Sequence, residues 1–103
     1  MIKPEEVKPR NITVESIIYN DGFFSIAWGK WEDEKMHLAM RWNGDGADKN
    51  DVGYPKTFGY PVWFLIPDSL TDDILKGISG NEMANKEVMT KIKAYQKSNS
   101  YAF

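Results

Sequence analysis

The richest oxygen chemistry in this chain lies in one run, RWNGDGADKND at 41–51, close behind its single histidine, His37. Asp45, Asp48 and Asp51 fall within seven positions, and carboxylates so spaced can ligate a hard cation. An EF-hand calcium loop needs oxygen ligands at loop positions 1, 3, 5 and 12, with glycine at 6. With Asp48 first, Asn50 and Gly53 fit, but Val52 and Gly59 stand where oxygen ligands are required. With Asp45 first, the pattern fails sooner, at Ala47. A looser magnesium or calcium site through the three aspartates stays open. The preferred reading is a hydrated turn in which Asn, Asp and Gly supply backbone freedom, with no metal and no cofactor.

His37 sits in the middle of a predicted strand, and Ser25 on the neighbouring strand shares its side of the sheet. No nucleophile elbow, phosphate loop or Gly-x-Gly-x-x-Gly accompanies them. The absence of cysteine removes thiol nucleophiles, thiolate zinc sites and disulfides. A small enzyme using His37 with a loop carboxylate, Asp45 or Asp48, is therefore an alternative function, and no catalytic residue is assigned. Arg41 closes the strand. Its guanidinium suits a carboxylate or phosphate, an aromatic face, or an ion pair with a loop aspartate.

The stronger signal is aromatic. GYPKTFGYPVW repeats Gly-Tyr-Pro at 53–55 and 59–61, and five aromatics lie between Tyr54 and Phe64. Proline fixes its own φ and holds the preceding residue extended. Tyr54 and Tyr60 are thereby stiffened, which limits the entropy lost when they bind something. Tyrosine pairs an apolar body with a polar tip, a combination suited to interfaces. The competing reading is a lid over the core of a small domain. Trp31, His37, Arg41, Tyr54, Phe58 and Tyr60 are the candidate ligand- or partner-binding residues.

The elements that must position them follow from periodicity. NITVESIIY (11–19), FFSIAWGKW (23–31) and MHLAMRW (36–42) alternate and are rich in β-formers, so they predict a three-stranded antiparallel meander. Asn20-Asp21-Gly22 supplies a tight first turn. Phe24, Ile26 and Trp28, with Met36, Leu38, Met40 and Trp42, form a bulky face expected to be core. Ala27, Gly29 and Ala39 leave the opposite face small, open or closely covered. Residues 43–60 read as one long irregular loop, and PVWFLIP (61–67) as a fourth strand. Asp68, Ser69 and Thr71 are candidate caps for a helix with stripe Leu70, Ile74, Leu75 and Ile78. A second helix spans about 85–97. Residues 1–10, broken by Pro4 and Pro9, read as a flexible or edge-lying arm.

The order β-β-β-loop-β-α-α predicts an α+β fold, a sheet of about four antiparallel strands with two helices on one face. One domain over 1–103 suits the length. The composition, 42% hydrophobic and 27% charged, is globular. A net charge of −2 argues against nucleic acid, although basic Lys86, Lys91, Lys93 and Lys97 with exposed aromatics keep single-stranded binding as an alternative. No apolar run is long enough to span a bilayer, and MIKPEEVKPR does not read as a signal peptide, so a cytoplasmic location is expected.

The run MRWNG followed by GYPKTFGYPVWFLIP resembles short orphan proteins of bacterial mobile elements, of the integron-cassette type. The resemblance implies a small stable α+β domain, often dimeric and sometimes ligand-binding, and carries over no functional residue. The reading reached is a non-enzymatic binding module. It uses an aromatic-rich loop surface for a small molecule or protein partner, with homodimerisation the simplest version.

Overall fold

In the computed structural model, residues 2–8, 12–44 and 51–99 are described. β1 (Ile12–Asn20), β2 (Phe24–Trp31) and β3 (Met36–Trp42) form the expected antiparallel meander. From the apolar run at 61–67, only β6 (Phe64–Leu65) pairs with β3, giving the sheet order β1-β2-β3-β6. The long segment is not wholly irregular. It contains a two-stranded ribbon, β4 (Lys56–Thr57) against β5 (Tyr60–Pro61). A 3-10 turn at Asp68–Leu70 leads into α1 (Thr71–Ile78), and α2 (Lys86–Asn99) follows. The fold is α+β.

The turns form for identifiable reasons. Asp21 Oδ1 accepts the amides of Phe23 and Phe24 at 2.9 and 2.8 Å, and Asn20 Oδ1 accepts Gly22 at 2.9 Å. The Phe24 amide, then that of Phe23, holds the Asp21 carboxyl below its ordinary range. The expected side-chain caps on the first helix are not used, since α1 begins without one. The second helix is capped by Asn85, whose Oδ1 accepts the amides of Glu87 and Val88 at 3.1 and 3.2 Å.

The sheet is covered on both sides. On the bulky side, Ile26, Trp28, Leu38 and Ile66 pack with Leu75 of α1 and with Val88, Met89 and Ile92 of α2. Tyr95 meets Trp28 edge to face at 5.3 Å, and its hydroxyl accepts the Met36 amide at 3.3 Å. On the small side, Trp63 lies in a second cluster with Ala27, Ala39, Ile12 and Val7. Small side chains there leave room for an indole, and Gly29 lets β1 approach β2. A Cβ on Gly29 would stand 2.7 Å from the Thr13 carbonyl oxygen.

The N-terminal arm helps close this second core. Its Pro4–Glu6 turn is fastened by the Lys3 amide donating to Glu6 Oε1 at 3.1 Å, and Pro4 and Val7 are buried. The Ile2 amide donates to the Asn43 carbonyl at 2.9 Å. Residues 2–8 are held by these contacts, and the rest of the arm lies outside the described residues. The edge strand β1 carries two register shifts, between Val14 and Ser16 and between Ile17 and Tyr19. Such bulges twist an edge away from further pairing.

Candidate functional site

Arg41 is the structural key to the aromatic segment. It projects from the small face of β3, beneath that segment, and only 1% of its surface reaches solvent. Its guanidinium donates to the carbonyls of Val62 at 2.6 Å, of Pro55 at 3.5 Å, and of Val52. It also lies 6.0 Å from the Trp63 ring centroid. Burial pushes its pKa below the usual arginine value, yet an arginine stays charged in a protein. These contacts give a charged donor to carbonyls at both roots of the β4–β5 ribbon. A side chain this buried, with its guanidinium on backbone carbonyls, holds backbone in place. Of the loop aspartates weighed as partners or ligands, Asp45 and Asp48 lie outside the described residues.

The loop is pinched at its base. Trp42 and Tyr54 exchange backbone hydrogen bonds at 2.7 and 3.1 Å. Gly53 has φ of +75°, and any side chain there would collide with the Trp42 carbonyl. Asp51 Oδ1 accepts the Gly53 amide at 2.8 Å. Above this base, the ribbon turns through Phe58 and Gly59, whose φ angles are +50° and +81°. Two residues with positive φ between paired strands make a type I′ hairpin, which normally favours Asn-Gly. Phe58 at this tip is 96% exposed. Tyr54 carries the Lys56 ammonium 5.0 Å from its ring centroid.

The register brings further aromatics to the other side of the sheet. Phe24 pairs with Trp42 and Met40 with Phe64, so the four side chains share the bulky face. Tyr54, paired with Trp42, extends it. The helices cover the Leu38 end and leave this end in water. Trp42, Tyr54 and Phe64 are 57–59% exposed, and Phe24 meets Trp42 edge to face at 4.8 Å. Trp42 and Phe64 are absent from the six candidate binding residues, since the sequence puts Trp42 on the core face and Phe64 in the apolar fourth strand. The signal was present, since Trp42 ends the bulky alternation directly before a polar loop.

His37 is held apart from this surface. Its Nδ1 is 2.7 Å from Asp68 Oδ1 and its Nε2 2.9 Å from Asp33 Oδ2. Both contacts are donations only when the ring carries two protons. Burial raises Asp33, but the Lys35 amide and His37 outweigh it, and its carboxyl lies below the ordinary range. Trp31 stands edge-on to the imidazole at 6.1 Å. The two carboxylates sit at opposite ring nitrogens and do not converge on one point. Among the described residues, no group of three or more His, Asp or Glu is arranged to hold a metal ion.

Ser25 does not reach His37. It pairs with Arg41 while His37 pairs with Gly29, a separation of four residues or about 13 Å along a strand. Its hydroxyl donates to Asn43 Oδ1 at 2.7 Å, and Asn43 Nδ2 donates to Asn20 at 3.1 Å. The structure thus splits the six candidates. Tyr54, Phe58 and Tyr60 are exposed, whereas His37 and Arg41 are buried in separate polar clusters and Trp31 is partly buried beside His37. Compared with protein-family models, curated proteins and solved structures, the chain matches none.

Proposed function

We propose that this domain is a non-enzymatic binding module acting through the aromatic end of its sheet, with a second copy of itself as the simplest partner. The observation that carries this reading is the set Phe24, Met40, Trp42, Tyr54 and Phe64, continuous on one sheet face with three aromatics more than half exposed. Exposed aromatics clustered on a rigid element are what protein interfaces use as anchors. The backbone under them is hydrogen-bonded strand, so little ordering entropy is lost on association. A small-molecule version loses its cationic anchor for an anion, because Arg41 is committed to backbone carbonyls.

A cytoplasmic setting and cassette-type origin belong to the same proposal. They are supported by the cysteine-free composition and the aromatic-rich run, and no helix among the described residues is long and apolar enough to cross a membrane. Size-exclusion chromatography of the protein and of Trp42→Ser tests the reading. The parent should elute earlier as concentration rises, while Trp42→Ser elutes as a monomer with an unchanged far-ultraviolet spectrum. Identical monomeric elution of both would refute self-association through this face.

A further inference from the structure

Phe58 sits where the chain has reason to place another residue. An aromatic at positive φ in a type I′ turn is strained, and 96% exposure leaves that strain without compensating burial within the chain. The hairpin beneath it is stiff. The Val62 amide donates to the Pro55 carbonyl at 3.1 Å, and the Arg41 guanidinium fastens the carbonyls of Pro55 and Val62 from below. Two residues per strand project the tip roughly 7 Å beyond this clamp. Strain held by a rigid base at an exposed aromatic marks a presented anchor.

We infer that the hairpin is an insertion knob, and that Phe58 of each copy seats on the Phe24–Met40–Trp42–Phe64 face of the other. This rests on the self-association proposed above and specifies its geometry. The hairpin springs from the border of that face, because Tyr54, at its foot, pairs with Trp42. A two-fold axis beside that pair lets each copy donate and receive once, the self-complementarity that an isologous dimer requires. Met40 and the edge-to-face pair of Phe24 and Trp42 offer an adaptable aromatic seat for a phenyl ring.

The size of the surface sets the strength. At roughly 200 Å² per aromatic, the exposed fractions of Trp42, Tyr54, Phe58 and Phe64 amount to about 500 Å² per copy. Two copies would bury about 1,000 Å², at the lower limit for specific interfaces, so the dimer is weak and reversible. A net charge of −2 per chain opposes it little.

Sedimentation equilibrium of the full chain, two variants and their mixture tests the exchange. Phe58→Asn installs the favoured Asn-Gly turn and should raise the melting temperature while removing the knob. Trp42→Ser removes the seat, with Phe64→Ser as substitute should Trp42→Ser fail to fold. Each variant alone is expected to be monomeric. Their equimolar mixture should recover a dimer of intermediate affinity, because one variant brings Phe58 and the other an intact face. A Phe58→Asn protein that dimerises like the parent would overturn the knob and leave the face standing. Two folded variants that stay monomeric when mixed would also overturn it. A monomeric parent would remove the self-association reading itself.

Discussion

Arg41 and Phe58 show how single residues in this chain serve opposite ends of one device. Arg41→Met would leave the carbonyls of Val52, Pro55 and Val62 under the hairpin without their charged donor. Hydrogen bonds to charged groups contribute about 1.5–3 kcal/mol, so a loss of roughly 2–4 kcal/mol is expected in urea unfolding. Arg41→Lys should recover only part of it, since one ammonium cannot reproduce the planar fork. Phe58→Asn should gain about 0.5–1 kcal/mol by the same measurement, through a turn residue that tolerates positive φ. A gain there means that the phenylalanine costs stability in the isolated chain. Gly53→Ala should be the most damaging single change in the loop, because its Cβ would overlap the Trp42 carbonyl. Such a position combines backbone strain with a clash, worth about 1–3 kcal/mol or more.

The elements were largely legible from alternation and turn chemistry. Strong period-two patterning at 23–31 and 36–42 placed β2 and β3, and Asn20-Asp21-Gly22 placed the turn from β1 into β2. The β4–β5 ribbon was hidden because four paired residues carry no periodicity, and its support is tertiary, from Arg41. Asp68 read as a helix cap because local spacing suggested it, whereas its partner His37 lies 31 residues away. Of the exposed face, Tyr54 was visible as an aromatic beside proline, whereas the patterning put Trp42 on the core face and Phe64 in an apolar strand. Their exposure depends on how far the helices reach across the sheet, which no local pattern encodes. The turn carboxylates also set an acid response. Asp21 and Asp33 have folded values below the ordinary aspartate range. Their contribution is full above that range and is lost as the pH falls through the depressed values. Chemical denaturation between neutral pH and pH about 3 should show stability falling on acidification, with a shallower fall in Asp21→Ala.

As a whole molecule, the chain divides its sheet between burial and display. The small face is sealed by Trp63 and the N-terminal arm, and half of the bulky face by two helices. The remaining end presents aromatics on rigid strands, with a clamped hairpin beside them. Two cores, one on each side, support the sheet that carries this face. Association through it is driven by apolar burial, so moderate salt should change it little, unlike a charge-steered contact. Sedimentation equilibrium of the unmodified protein over a wide concentration range tests the central claim most directly. The account predicts a weight-average mass that rises from one chain toward two at high micromolar concentration. A mass fixed at one chain, 11.8 kDa, across that range would contradict it.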